Sequence, residues 1–414
     1  MYKLLSNFVV MINERLSSAF LTMNKFILVV VTLLFAACKP THGPAYSSLC
    51  LETENAIYHG QLLQADSLLN ILTSTYRLPN SWERHYCLSV ADLAEIFEEY
   101  EICYKYLNKL QKGNKESERI KTIKTLSRLP EMTVCRPAEN VSINFFIDSV
   151  YFDNRYSGCE IKLPTQIAGH QEQLILDNGS SAFCYATESF AKAHSIHDTG
   201  INMHWTDALG TFTTWIGIAD SISIGSLVFH NVKFAIGPDT ANDSVYKGVP
   251  ASINATLGMN VLRRCGEMVF NNKSQILTFT SNLVPLQSNL IVGRSGLQYV
   301  DAIVQKDTLS FLIDLGTSYT ICNANFLKKS DIEKAQVDSI ITYAPSGIQT
   351  EMAYRYNDIE IAACGGRQSM DEVYVHASQK PEEHASCGII GNDFFLQFNT
   401  AVLNLDKMYL YFID

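Results

Sequence analysis

Two patterns of apolar and polar positions divide the chain. From Leu51 to about Leu126 apolar residues recur at three- and four-residue spacing without strand-like alternation, which predicts helices. Beyond Pro130 and Pro137 short β-branched and aromatic runs alternate with clusters of Gly, Asn, Asp and Ser, which predicts strands and turns to the C-terminus. Expected strands include 142–147, 173–176, 221–224, 232–236, 275–279, 309–313, 373–375 and 408–412. The expected fold class is α+β multidomain. An all-α, helical-repeat-like part over 45–130 precedes an all-β part in two halves, 142–285 and 286–414. Since no expected strand precedes residue 142, the helical part reads as dispensable for folding of the β part.

Ahead of the helices, Met23-Asn24-Lys25 opens an apolar run over 26–37, too short to span a bilayer comfortably and of the length of a signal-peptide core. It ends on Phe35-Ala36-Ala37-Cys38 and resembles the lipobox of bacterial lipoproteins, with Phe35 where Leu is usual. The resemblance implies cleavage before Cys38, lipidation of its thiol, and a lipid anchor in a bacterial membrane, facing the periplasm or the exterior. A plain secretory signal or an uncleaved anchor is the alternative. Residues 1–37 are taken as signal peptide, with Met23 as its start.

Within the helical part, the segment 60–69 resembles the turn and second helix of a tetratricopeptide repeat. A looser copy lies at 98–107, with Ala65 and Cys103 in the matching small-residue places. That resemblance implies a platform for a protein partner; a plain helical bundle is the other reading.

Composition narrows the function classes. With 47% hydrophobic and 18% charged residues over 414 positions, the chain can bury a large core. A formal charge of −10 and the lack of a basic stripe exclude nucleic acid as a partner. The ten cysteines after Cys38 form no Cys-x-x-Cys pair, which argues against a zinc ribbon, and Cys364 with Cys387 is the nearest plausible disulfide. The one metal-like spacing, His194-x-x-His197 with His204 beyond it, lies in a polar stretch without helical period, so these read as loop histidines and no metal is expected.

The β part carries the same layout twice. An apolar strand runs into a carboxylate and a tight turn in Leu174-Ile175-Leu176-Asp177-Asn178-Gly179-Ser180-Ser181, and again in Phe311-Leu312-Ile313-Asp314-Leu315-Gly316-Thr317-Ser318. A glycine follows each Asp after 33 residues, at Gly210 and Gly347. Each half then reaches a β-forming pair before Gly, in Thr256-Leu257-Gly258 and Ile389-Ile390-Gly391, and 21 residues later an aromatic, Phe279 and Phe412. The tails align, Val269 with Val402 and Asn271 with Asn404. A single Asp-x-Gly-[Ser/Thr] is a weak signal; two in register with these landmarks are not.

This layout resembles the bilobal aspartic peptidases of the pepsin and retroviral-protease kind over about 142–414. The resemblance implies an endopeptidase acting on a polypeptide substrate without a cofactor. Asp177 and Asp314 would be the catalytic pair, sharing one proton because two carboxylates about 3 Å apart cannot both ionise. Gly179 and Gly316 would permit close passage of the loops, and the hydroxyls of Ser180 and Thr317 would hold the outer carboxylate oxygens. Hairpin flaps are implied over 205–213 and 343–350, with Trp205, Gly210, Tyr343 and Gly347 as their markers. The family usually places Thr or Ser directly after each Asp to grip the other lobe, whereas Asn178 and Leu315 stand there and only Asn can hydrogen-bond. The rival reading is a catalytically inactive peptidase fold that holds peptides or proteins.

Overall fold

The computed structural model describes residues 43–76, 78–111, 117–152, 155–180, 182–239, 245–246, 249–250, 253–280, 286–293, 296–323, 325–326, 336–376 and 386–413. Residues 1–37, expected to be a signal peptide, together with Cys38 and Ser181 lie outside the described residues. No helix among them is long and apolar enough to cross a membrane.

Five helices open the described chain: α1 Pro44–Tyr58, α2 Leu62–Thr75, α3 Asn80–Ile96, α4 Tyr100–Leu110 and α5 Glu118–Leu126. The three- and four-residue spacing becomes a shared core, with Ala65, Leu69 and Leu72 of α2 and Tyr86, Val90 and Ala91 of α3 fully enclosed. Ala65 and Cys103 are both buried. The turns into α2 and α4 are built alike. Gln61 donates to the Ala56 carbonyl and Glu99 to that of Ala94, both at 2.8 Å, and the preceding residue is left-handed in each, Gly60 at φ 64° and Glu98 at φ 57°.

Both turns dock on the β part. A Cβ on Gly60 would lie 3.2 Å from Met408 and Val292 side chains, and His59 meets the Ser288 hydroxyl at 3.2 Å. Glu98 adopts a conformation that costs a non-glycine residue energy, and its carboxylate there meets Lys233 at 2.8 Å and Arg264 at 3.1 Å. Lys233 is 2% exposed and Glu98 4%, so this ion pair is buried between the two parts. The Arg263 guanidinium stacks on Phe97 with its carbon 3.3 Å from the ring centre.

The described β part consists of two large sheets, a five-stranded sheet that draws strands from both halves, and a two-stranded pair of Val245–Tyr246 with Val249–Pro250. Most expected strands are present and several are longer: the 173–176 run belongs to His170–Leu176, 309–313 to Asp307–Ile313, and 221–224 to the long Thr211–Ile224, whereas 142–147 is broken at Phe145 into Val141–Asn144 and Phe146–Phe152, which join different sheets. The two large sheets repeat one pairing order. In the first, Ala255–Leu257 lies between the Asp-bearing strand His170–Leu176, which it pairs in parallel, and Cys184–Thr187, which it pairs antiparallel. In the second, Gly388–Ile390 lies likewise between Asp307–Ile313 and Ile321–Cys322. A three-stranded meander, His197–Thr206, Thr211–Ile224 and Leu227–Gly237, completes the first sheet. Gln336–Ala344, Gly347–Ala363 and Gly366–His376 complete the second.

The bridging sheet draws strands from both halves, in the order Val141–Asn144, Ile276–Thr280, Glu267–Asn271, Thr400–Asn404 and Tyr409–Ile413. Val269 sits directly opposite Val402, its counterpart in the sequence repeat, which places the local two-fold axis of the repeat at that pair. Two short strands precede residue 142 in the chain or begin there: Thr133–Cys135 pairs with Leu227–Gly237, and Val141–Asn144 with Ile276–Thr280.

The ten described cysteines form no disulfide with one another, and nine of them are buried. Cys364 and Cys387 are among them, so the disulfide expected between them does not form.

Candidate active site

Each Asp leaves its strand at the point where the neighbouring closing strand ends. The Asp177 amide donates to the Leu257 carbonyl at 3.0 Å and the Asp314 amide to that of Ile390 at 3.1 Å. The sheet thus holds both loops by their backbones, with the Asp side chains free to point beyond the strand ends.

The loops pass close enough to explain their glycines. A Cβ on Gly179 would lie 2.6 Å from Asp314 Cγ, and one on Gly316 would lie 2.7 Å from Asp177 Cγ. No side chain fits at either place, so each loop presents bare backbone to the carboxylate of the other. Asp177 and Asp314, far apart in sequence, are thereby brought together.

The carboxylates are half-buried and held by short-range donors. Gly316 N–H reaches Asp314 Oδ1 at 2.8 Å and the Thr317 hydroxyl reaches Oδ2 at 2.9 Å. Ser180 departs from the expected arrangement. Its hydroxyl donates to the Phe183 carbonyl at 2.6 Å, and the backbone amide of Ser180 instead reaches Asp177 Oδ1 at 3.0 Å. The physical reason is local: the Phe183 carbonyl lies within reach of the hydroxyl, which gives its one proton there and leaves the carboxylate to the amide.

Enclosure by protein pushes both carboxyls above the usual carboxylate range. For Asp177 the facing charge of Asp314 adds to the rise. Hydrogen-bond donors, the Ser180 amide for Asp177 and the Thr317 hydroxyl and then the Gly316 amide for Asp314, partly offset it by favouring the ionised form.

Asn178 and Leu315, the positions after each Asp, behave differently. Asn178 Nδ2 donates to the Ile313 carbonyl at 2.7 Å and to Gln298 Oε1 at 3.2 Å, while its Oδ1 accepts from Leu315 N–H at 2.8 Å. One side chain therefore grips the backbone of the opposite loop by both its donor and its acceptor. Leu315 is 1% exposed and adds packing only. The second loop is tied from elsewhere: Asn392 Nδ2 donates to the Leu315 and Cys159 carbonyls, both at 3.0 Å. Below it, Asp393 accepts from the amide and hydroxyl of Thr320, each at 2.7 Å. Gln298, Asn392 and Asp393 carry no repeat or motif of their own in the sequence. Asn392 and Asp393 directly follow the Gly391 landmark, which was the one available signal for them.

The hairpins 205–213 and 343–350 meet at their tips. Asp207 Oδ2 accepts from the Ser346 amide at 2.8 Å, and Oδ1 from the Ser346 hydroxyl at 2.7 Å. Gly210 lies in the first turn, and Gly347, at φ 144°, opens the return strand of the second. Trp205 packs at a tilt against Tyr185, with ring centres 6.3 Å apart, and the Tyr343 hydroxyl accepts from Ile253 N–H at 2.6 Å.

The three histidines separate. His194 is buried and bound to the Phe190 carbonyl and Glu172, while His197 and His204 are exposed. No group of three or more metal-ligating side chains is found among the described residues.

Residues 163–261 match the family model described as aspartyl protease. The matched segment holds the Asp177 loop, the first hairpin and Thr256-Leu257-Gly258. No curated protein matches the chain.

Proposed function

We propose that the chain is an aspartic endopeptidase of the two-lobed, retropepsin-like kind, with Asp177 and Asp314 as its catalytic pair. The interlocked loops carry this reading: each carboxylate faces the other's glycine, and both are held above the usual carboxylate range. In that state one acid is protonated while the other is ionised. A water between them loses a proton to the ionised acid as its oxygen attacks the peptide carbonyl carbon, and the protonated acid gives its proton to the carbonyl oxygen. The tetrahedral adduct then collapses, the C–N bond breaks, and the nitrogen leaves with a proton from the pair. The repeated pairing order of the two sheets supports two lobes of one ancestry, and the joined hairpins support a closed pair of flaps over the dyad.

The helical part, with its two similarly built turns, supports a tetratricopeptide-like platform for a protein partner. The lipobox-like segment at Cys38 supports a lipid-anchored protein of the cell envelope. A Cys38→Ser variant should lose the lipid, and a wild-type mature chain starting at any other, unmodified residue overturns that part.

The test of the enzyme is cleavage of an unbiased peptide library by wild type and by Asp177→Asn and Asp314→Asn. Wild type should cut and neither variant should. Peptides bound but cut by none of the three would make the chain a catalytically inactive peptide-binding module.

A further inference from the structure

Resting on the endopeptidase reading, we infer that the two halves offer chemically opposite subsites to the residues flanking the cleaved bond. The first half takes a hydrogen-bonding side chain and the second an apolar one.

The shared pairing order identifies equivalent positions. Thr256 pairs with Ile175 on one side and Tyr185 on the other, as Ile389 pairs with Leu312 and Ile321. Thr256 thus corresponds to Ile389 and Tyr185 to Ile321. Cross-strand partners share a face, so each half presents one such pair beside its Asp.

The chemistry of the two pairs differs. In the second half Ile321 and Ile389 belong to an apolar cluster with Ile340, Ala353 and the rings of Tyr319 and Tyr374. In the first half both positions carry buried hydroxyls, and that of Tyr185 has no hydrogen-bond partner among the described residues. The Thr256 hydroxyl is turned to Asp177 and favours its ionised form. The Tyr185 hydroxyl lies over the backbone of Gly237, where an added Cβ would come within 2.7 Å of it, and its ring packs against the flap residue Trp205. It feels the charge of Asp207 near the flap tip. An enclosed hydroxyl without a partner costs stability, and a substrate group that donates to or accepts from it recovers that loss. An apolar substrate side chain leaves it unpaired. Discrimination of this kind exceeds what size or shape alone gives, because the penalty falls on the wrong substrate.

The experiment profiles the full chain and Tyr185→Phe on a library varying both residues of the cleaved bond. Binding of the same sequences with a reduced, uncleavable bond is measured in parallel. Wild type should prefer Asn, Gln, Ser or Thr on one side and an aliphatic or aromatic residue on the other. Tyr185→Phe should reduce the polar preference by about tenfold and leave the apolar preference unchanged. Its unfolding temperature should not fall, since it loses no hydrogen bond. Ile389→Thr should admit polar residues on the apolar side. Cleavage with the same preference on both sides, or a polar preference untouched in Tyr185→Phe, overturns the subsite assignment and leaves the endopeptidase standing. Tyr185-dependent binding preferences without cleavage by any form overturn the endopeptidase and keep the subsite. Neither cleavage nor binding overturns both.

Discussion

Asp207 and Ser346, at the tips of two hairpins in different halves of the chain, are joined by two hydrogen bonds to one carboxylate. The same carboxylate also accepts from the amides of Leu209 at 2.9 Å and Gly210 at 3.1 Å, so Asp207 shapes its own turn as well as fastening it to the other. On the proposed endopeptidase reading, a polypeptide would enter beneath these hairpins after this fastening opens.

Separating the two roles gives the first prediction. Ser346→Ala removes the hydroxyl bond and keeps the amide one, so the tips should exchange their amide hydrogens modestly faster. Asp207→Ala removes all four bonds, and exchange at Leu209, Gly210 and Ser346 should accelerate strongly while the strand bases stay protected. Equal protection in Asp207→Ala and wild type would mean the tips are held by other contacts.

The dyad supplies a second prediction, in which activity and stability move oppositely. Asp177→Asn and Asp314→Asn should each lower kcat/KM by at least about 10²–10⁴-fold, with the double variant hardly worse than either. Each carboxyl has a higher pKa folded than unfolded, so the native state keeps protons that the unfolded chain releases above the ordinary value of about 3.9. Stability therefore falls as pH rises from there through the folded pKa. Replacing either Asp by Asn should raise the Tm at neutral pH and leave it unchanged near pH 3, below the ordinary carboxylate value. A gain that persists undiminished in acid would place its origin elsewhere.

A third prediction concerns the grip. Asn178→Ala strands the Ile313 carbonyl and the Leu315 amide in a buried place, which should cost about 2–4 kcal/mol in denaturant unfolding. Asn178→Asp keeps the acceptor and loses the donor, and should fall between. By the family pattern, a hydroxyl at Leu315 would restore a missing grip. Since Leu315 is enclosed, Leu315→Thr should instead destabilise by about 1–3 kcal/mol. A stabilised Leu315→Thr would show that a partner for the hydroxyl exists.

How far the sequence could be read depended on whether a residue's role lay in its spacing or in its surroundings. Asp177 and Asp314 were legible because two loops under the same steric demand keep the same glycine offset, and spacing survives in one dimension. The strands followed from alternation, though their ends did not, since pairing extends them over residues without strong preference of their own. Ser180 was misassigned because its amide and its hydroxyl are equally able to serve a carboxylate, and only the path of the next residues decides between them. Asn178 looked like a departure from the pattern and proved to bind the opposite loop twice, which no local feature of Asp177-Asn178-Gly179 reveals. Glu98 and Lys233 were invisible as partners, because a buried ion pair across so long a stretch has no periodic signature.

That ion pair supports a fourth prediction and reverses the expectation that the helices can be removed. Glu98→Gln leaves Lys233 charged and enclosed, and should destabilise the chain by about 3–5 kcal/mol. Glu98→Leu with Lys233→Met should be milder than the two single losses added together. The β part without residues 43–126 should expose its core to hydrophobic dye and lose a sharp unfolding transition. A truncated form that unfolds as cooperatively as the full chain would show that the contact is incidental.

The contact also bears on how the chain is made. Glu98 leaves the ribosome 135 residues ahead of Lys233. Until then the helices carry a carboxylate with no counter-ion, and the side chain of Ile96 waits for the close approach of Gly296, later still. A chain cut short before Lys233 is thus left with this seam open.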